Sequence, residues 1–388
     1  MTEILQANWN YPTAISVGAG RLAEVAAACV TLGINRPLLV TDPGVLALPF
    51  AQTLVALCSS SANGAGVFSD IKSNPTAASV EAGAAQFRSG KHDGVIALGG
   101  GSALDCGKTI AALAPQSGTL WQQQDSDGNW SGFDKVAAAP IIAIPTTAGT
   151  GSEVGRAAVV TDPEIQLKKI VWHPGMLPTL VILDPELTVG LPAGLTAATG
   201  MDALSHNLEA LCAPGYHPMA EGIGLQGMRL VKDNLLTAVE QGGDLTARTN
   251  MLVASSMGAT AFQRGLGGMH ALAHSLGAVY DAHHGVLNAI LMPYVLKANE
   301  AAIGDTMHLI ASSLGLPGTG FSAVMEWVLS LREQTGIAHS LAEIGIVDDE
   351  SARIGAMAAV DSTAATNPIL HSADTYSRIF EQACRGQL

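Results

Sequence analysis

Aromatic residues are scarce in this sequence, 4% of 388 residues, and charged residues make up only 13%. The first shortage points to closely packed small side chains rather than to aromatic stacking surfaces. The second is lopsided: 19 basic residues stand against 33 acidic ones, a formal net charge of −14. No Lys/Arg stripe is present to neutralise phosphates, so a nucleic-acid partner is not expected. Bulk charge does not describe one pocket and says little about a substrate. There is no CxxC. The five cysteines (Cys29, Cys58, Cys106, Cys212 and Cys384) are isolated and odd in number, as buried thiols of a reducing compartment would be. No apolar run reaches about 18 residues, so no membrane span is expected. The opening MTEILQANWNYPT lacks the basic and apolar regions of a secretory signal. The expected location is the cytoplasm.

What the chain has is hydrophobic residues, 48% of the total, over a length that suggests two domains with large cores. The first half alternates short apolar runs with Ala-rich helical patterns. PLLVTD (37–42), GVIALGGGS (94–102), PIIAIPTT (140–147) and LVILDPE (180–186) read as strands, and Ala77–Ser89 and Ala103–Leu113 read as helices. Continuous apolar strands separated by helices imply a parallel sheet covered on both faces. After Leu191 the strand signal fades and a 3.6-residue period takes over at 196–212, 217–240, 245–263 and 265–279. The predicted domains are 1–190, α/β, and 191–388, all-helical, with Pro192 near the start of the first helix.

LGGGSALDCGKT (98–109) imitates a phosphate-binding loop but fails as one. The motif needs a glycine five residues before Gly107, where Ser102 stands, and Gly107-Lys108-Thr109 falls inside the predicted helix. A GxGxxG fingerprint is absent too. What remains is a strand, three glycines, a serine and a helix with Asp105 in its first turn. Such a turn lets backbone and free N–H groups approach a diphosphate. A second polar glycine loop, PTTAGTGSE (145–153), follows another strand, and two such loops point to one cleft at the sheet's carboxyl edge. Asp42, at a third strand end, is placed to bind ribose hydroxyls and repel a 2′-phosphate, or else simply to cap a turn.

The segment GGMHALAHSLGAVYDAHHG (267–285) holds four of the eleven histidines. His270 and His274 share a helical face, as do Asp202 and His206 in the earlier AATGMDALSHNLEA. Any one pair reads equally well as a surface hydrogen bond or a cap. Together they sit in Ala/Leu/Gly/Met-rich helices that would bury them, and buried imidazoles without partners are costly. Asp202, His206, His270 and one of His283 and His284 would make a three-nitrogen, one-oxygen site suited to Fe²⁺ or Zn²⁺.

At this point the sequence resembles the iron-containing (group III) alcohol dehydrogenases. GGGSALDCGK, IPTTAGTGSEV, DPELTVGLPAGLTAATGMDALSH, GLGGMHALAHSLGA, HHGVLNAILMPYV and the late DSTAATNP run in the family's order over essentially the whole chain. The resemblance implies an N-terminal dinucleotide-binding α/β domain and a C-terminal helical domain, a dehydroquinate synthase-like fold, with a cleft between. It implies that Asp202, His206, His270 and His284 hold the catalytic metal, Fe²⁺ with Zn²⁺ as the alternative. His274 is then a catalytic neighbour rather than a ligand, and His283 has no assigned role. The family's cofactor contacts fall on Asp42, Asn74, Gly99, Gly100, Gly101, Ser102, Thr146, Thr147, Thr150 and Lys168. Asp42 argues for NAD over NADP.

The implied activity is reversible hydride transfer between a primary alcohol and a nicotinamide, with the metal as Lewis acid. A proton would pass through His274 or the ribose hydroxyls. A homo-oligomer, a dimer, is expected. Arg156 and Arg264 stand where many relatives are neutral. Both are candidates to pair with a carboxylate on the substrate, an ω-hydroxy acid or its semialdehyde, or else to serve as structural ion pairs. Two other readings remain at this stage: a lyase of the related dehydroquinate synthase type, and a non-catalytic metal and nucleotide sensor. The first needs a basic cluster for a phosphate, and the Lys-poor helical half offers none.

Overall fold

A computed structural model describes residues 11, 13–61, 64–72, 74–123, 138–162 and 167–388. The chain divides into two compact units, Pro12–Thr147 with Gly151–Gly190, and Ala148–Thr150 with Leu191–Leu388. The first contains β1 (Ala14–Val17), α1 (Val25–Thr31), β2 (Pro37–Val40), α2 (Pro43–Leu46), α3 (Pro49–Ser61), β3 (Gly66–Phe68), α4 (Ala77–Ser89), β4 (Gly94–Gly99), α5 (Gly101–Leu113), α6 (Leu120–Gln123), β5 (Ile141–Pro145), β6 (Ala157–Asp162), β7 (Leu167–Trp172) and β8 (Leu180–Leu183). The second contains α7 (Ala193–Cys212), α8 (Pro218–Glu240), α9 (Leu245–Ala261), α10 (Gly268–Tyr280), α11 (His284–Leu314), α12 (Gly320–Gln334), α13 (Ser351–Val360) and α14 (Ala373–Arg385).

The α/β unit is built on a six-stranded sheet in the order β1-β8-β5-β4-β2-β3. Every pairing in it is parallel. β2, β4 and β5 are buried at every position, which is why they read as continuous apolar runs. Leu39, Ile96, Ile142 and Ile182, one from each of four adjacent strands, share a core with Val25, Leu54 and Leu98. From β2 the chain goes to β3 on one side and then to β4 on the other. The turns after β2 and β4 therefore flank a switch point, where α/β sheets bind ligands beyond their strand ends. The antiparallel pair β6–β7 was not foreseen, although AAVVTD alternates inward and outward with a period of two. The helix expected at Ala103 begins two residues earlier, at Gly101, so Asp105 lies in its second turn and not its first.

The helical unit has no strand among its described residues, and no helix is long and apolar enough to cross a membrane. α7 is its axis, buried along most of its length from Thr196 to Leu211. Neighbouring helices approach it at glycines. A Cβ on Gly227 of α8 would fall 2.0 Å from Asn207 Oδ1, and one on Gly258 of α9 would fall 2.7 Å from Asn207 Nδ2. Gly285 of α11 is tightest against backbone, its Cβ position lying 2.3 Å from the Ala198 carbonyl oxygen. Leu204, Leu208, Met228, Leu272, Leu291 and Phe380 belong to the surrounding core.

The boundary placed at 190/191 needs one amendment. Ala148–Thr150 cluster with the helices. Gly149 lies so close to Thr199 that a Cβ would meet the Thr199 carbonyl oxygen at 2.8 Å.

Gly285→Ala is expected to push α11 off α7, overpacking that costs about 1–3 kcal/mol. Because His284 is the preceding residue, the variant should keep its helical circular dichroism, melt lower and retain less metal. Unchanged melting with full metal content would show that α11 can yield.

Candidate functional site

On α7, Asp202, His206 and Glu209 follow one another at helical spacing and are all buried. One ligand atom each from Asp202, His206 and His270 lie within 4.8 Å of one another. His284 Nε2 is 3.8 Å from Asp202 Oδ1. The His206 and His270 rings stack at 4.7 Å, and His270 and His284 are 5.3 Å apart. His284 opens α11 facing this group, whereas His283 is its exposed N-cap residue.

Each imidazole on α7 and α10 is aimed by a bond at its other nitrogen. His270 Nδ1–H donates to Glu209 Oε2 at 2.6 Å, and His206 Nδ1–H donates to the Gly149 carbonyl at 3.2 Å. Both Nε2 lone pairs are thereby free for a cation, the arrangement in which an outer acceptor fixes the tautomer of a ligating histidine. The Asn288 amide nitrogen lies 2.8 Å from Asp202 Oδ1, 3.2 Å from His270 Nε2 and 3.1 Å from His284 Nε2. One NH₂ group thus faces three acceptors, while its own Oδ1 is buried with no partner. Acceptors converge here faster than protein donors can serve them, so the donor set fits a divalent cation.

The protonation states fit as well. Burial alone would raise the Asp202 pKa, but His206, His284, His270 and the Asn288 amide outweigh it and hold the carboxyl at about 2. Burial drives His270 and His284 well below the ordinary imidazole value, so both stay neutral and able to ligate. Glu209 moves the other way. Burial pushes it up to about 7, against the pull of the Met269 and Gly267 N–H groups.

His274, one turn after His270, is held apart. Its Nδ1–H donates to Asp361 Oδ2 at 3.0 Å, and its ring stacks on His284 at 5.4 Å. Asp361 is fixed in turn by the Thr363 N–H at 2.8 Å. At the other end of the same segment, Asn367 Oδ1 accepts the Gly268 N–H at 2.9 Å, and the Thr366 hydroxyl donates to the Leu266 carbonyl. DSTAATN thus clamps α10 at its start and at His274.

In the α/β unit, the Thr146 N–H donates to the Gly99 carbonyl at 3.0 Å and Thr147 adjoins Gly100, so the two glycine loops meet. Gly99 has φ +145°, and a Cβ there would lie 2.7 Å from the Ala103 Cβ and 3.4 Å from Asp42 Oδ2. Asp42, Gly99, Gly100, Gly101, Ser102, Thr146 and Thr147 therefore gather at adjoining strand ends. Asp42 caps α2 through Val45 N–H at 3.0 Å, which is the turn-cap reading of that residue. Asn74 precedes the segment whose Thr76 bridges Thr161, which pairs with Lys168, so Asn74 and Lys168 belong to a second neighbourhood on the hairpin side. Thr150 falls with the helical unit. Lys108, the decoy lysine, is fully buried within α5.

The two arginines are not equivalent. Arg264 Nε donates to the Gly215 carbonyl at 2.6 Å and Nη1 lies 3.6 Å from Glu221, so its fork is already used. Arg156 lies over the Trp172 ring at 5.6 Å.

Sequence reasoning missed Glu209, Asn288, Asp361 and Asn367. Glu209 and Asn288 had a signal, lying three and four residues after His206 and His284 on the same faces. Asp361 and Asn367 had none beyond the quoted segment itself.

The helical unit carries a cluster whose donor set fits a divalent cation, and the α/β unit carries paired glycine loops at adjoining strand ends. The sequence matches the iron-containing alcohol dehydrogenase family over residues 12–185 and the C-terminal part of that family over 196–384. It is 41% identical over 384 residues to a 4-hydroxybutyrate dehydrogenase of Cupriavidus necator, covering 96% of this chain and 98% of that one. It is 36% identical to a 1,3-propanediol dehydrogenase of Klebsiella pneumoniae, covering 99% of each. A crystal structure of a 1,3-propanediol oxidoreductase superposes with TM-score 0.90 at 33% identity, covering 97% of this chain and 100% of that chain. A sulfoacetaldehyde reductase from Bifidobacterium kashiwanohense, solved with NAD⁺, superposes with TM-score 0.89 at 26% identity, covering 98% and 99%. The chain belongs to the iron-containing alcohol dehydrogenase family, and it is an oxidoreductase.

Glu209→Gln keeps the size of the side chain but replaces the carboxylate behind His270. Metal affinity should fall about 10- to 100-fold, as for loss of other outer partners of ligating histidines. Chelator competition at fixed pH measures it, and an unchanged affinity would show that the Glu209 contact does not tune the ligand.

Proposed function

We propose that the chain is an NAD-dependent, iron-dependent dehydrogenase that interconverts a primary alcohol and its aldehyde, with an ω-hydroxy acid and its semialdehyde as the preferred pair. The observation that carries this reading is the convergence of Asp202, His206 and His270 within 4.8 Å, with His284 beside them. When bound there, the metal would supply Lewis-acid chemistry toward the substrate oxygen, and the nicotinamide would accept or return the hydride. The protein's own part is placement and proton handling. Glu209 and the Gly149 carbonyl hold the Nδ1–H of His270 and His206, leaving Nε2 of each as ligand. Asp361 holds the Nδ1–H of His274, which makes its Nε2 the proton acceptor when the alcohol is oxidised. Removing a side chain assigned to the metal by His270→Ala, His284→Ala or Asp202→Ala should abolish metal retention and turnover, whereas His283→Ala should leave both nearly unchanged. Metal loss on His283→Ala, or normal metal content in any of the other three, would reassign the ligands.

The glycine turns at the ends of β4 and β5 are assigned to the dinucleotide, and Asp42 to the ribose, where its carboxylate would repel a 2′-phosphate. Asp42→Gly should narrow the NAD preference, read as the ratio of kcat/KM for NAD to that for NADP. Equal use of both by the unmodified protein would refute the assignment.

The carboxylate preference is supported by the relative named 4-hydroxybutyrate dehydrogenase and by Arg156, whose guanidinium is the less committed of the two arginines. The test compares kcat/KM for 4-hydroxybutyrate and butan-1-ol, measured anaerobically with Fe²⁺ restored. Arg156→Ala should lower the ratio about tenfold, the scale of a charge-assisted hydrogen bond, and Arg264→Ala should not. A better rate with butan-1-ol, or an unmoved ratio in Arg156→Ala, would make the substrate an uncharged short-chain alcohol.

A further inference from the structure

Gly107-Lys108-Thr109 looks like the tail of a phosphate loop, yet Lys108 has no N–H left for a phosphate. Its Nζ donates to the carbonyls of Ser152 at 2.9 Å, Gly155 at 3.3 Å and Ala157, three acceptors for three hydrogens. One turn earlier on α5, Asp105 Oδ1 lies 3.4 Å from that ammonium. The same carboxylate accepts the Ser152 hydroxyl, and its Oδ2 accepts the Val159 N–H at 2.8 Å. Both side chains are buried. Five of these contacts end on residues 152–159, the continuation of the glycine loop that follows β5.

The helix that carries the pair also begins the other loop, since Gly101 and Ser102 are its first residues. It cannot drift. Gly107, between Asp105 and Lys108, lies so close to β4 that a Cβ would meet the Ala97 Cβ at 2.7 Å. α5 therefore presents the first glycine turn at its N-terminus and grips the second loop from behind within two turns.

A buried ion pair is poor at adding net stability, because desolvation offsets most of the attraction. What a fully satisfied one can do is specify a single backbone arrangement. We propose that Asp105 and Lys108 are positioning residues for the dinucleotide, a buried pair that locks residues 152–159 against α5 so that the two glycine loops form one preorganised binding surface. The proposal rests on the assignment of those loops to the nucleotide. It gives the lysine of GGGSALDCGK a role that involves no contact with phosphate.

The test titrates NADH into the metal-loaded full chain, by fluorescence and below the melting temperature, for Lys108→Met, Asp105→Asn and Ser152→Ala. Lys108→Met and Asp105→Asn should raise the NADH Kd on the order of tenfold or more, the scale of a misplaced binding group. Ser152→Ala, which removes one hydroxyl from Asp105, should raise it by about threefold. Metal content should stay full, and amide hydrogen exchange should quicken within 152–159. A folded Lys108→Met that melts lower but binds NADH within about twofold of the parent would overturn the proposal, since the pair would then be only structural. If Lys108→Met does not fold, Ser152→Ala decides: an unchanged Kd and unchanged exchange overturn it. Failure of the underlying nucleotide assignment looks different, because NADH binding would then also be insensitive to Gly100→Val in the first turn.

Discussion

The carboxylate of Glu209 is the contact on which the arrangement of the Asp202, His206 and His270 cluster depends. It accepts the N–H groups of Gly267 at 2.9 Å and Met269 at 2.8 Å, and the Nδ1–H of His270 at 2.6 Å. The first two are groups that a helix N-terminus leaves without partners, and a carboxylate there also meets the positive end of the helix dipole. Gly267 has to be a glycine, because a Cβ would fall 2.9 Å from Glu209 Oε1. One side chain from α7 therefore starts α10, sets its distance from α7 and chooses which nitrogen of His270 faces Asp202. Joining these roles in one side chain means that the orientation of His270 cannot loosen without the helix start loosening too.

Asp202 and Glu209 stand two turns apart on the same helix, both buried, and their pKa values diverge, to about 2 and about 7. The difference lies in what surrounds each one. Asp202 looks into three imidazoles and an amide that favour its charge. Glu209 has backbone N–H groups, which only partly offset its desolvation. The more acidic group thus sits among the imidazoles, and the more easily protonated one sits behind a histidine.

Much of this was legible in the sequence because each feature had a local signature. Four of the six parallel strands announced themselves as apolar runs, while the short β1 and β3 did not, and α4 matched its periodic segment residue for residue. Asp202, His206 and His270 stood out as polar groups on apolar helices. The hairpin β6–β7 differs in kind, because β6 alternates between partly exposed and buried positions and forms no continuous apolar run. Long-range partners had no local sign at all. Nothing in the sequence near His274 points to Asp361, 87 residues on, or near Gly268 to Asn367, 99 residues on. Gly149 grouped with the wrong unit on sequence because its packing against Thr199 and its bond to His206 are tertiary. The HH pair was undecidable by spacing, and helix phase separated it: α11 turns His284 inward and leaves His283 exposed as its N-cap.

With charged residues at only 13% of the chain, the few buried ones repay attention to sign. Glu209, when ionised, is an acceptor only, and it sits where a helix start presents N–H groups. Lys108 is a donor only, and it sits where a loop turns three carbonyls inward. In each unit the buried charge is matched to the polarity of the backbone it must satisfy, and in each it stands directly behind a segment assigned to binding. An apolar residue at either place would leave those backbone groups orphaned, each costing about 1–3 kcal/mol. A residue of the opposite sign would add repulsion to that cost. The identity of these two side chains therefore follows from the loops they support, and it would hold whatever alcohol the enzyme takes.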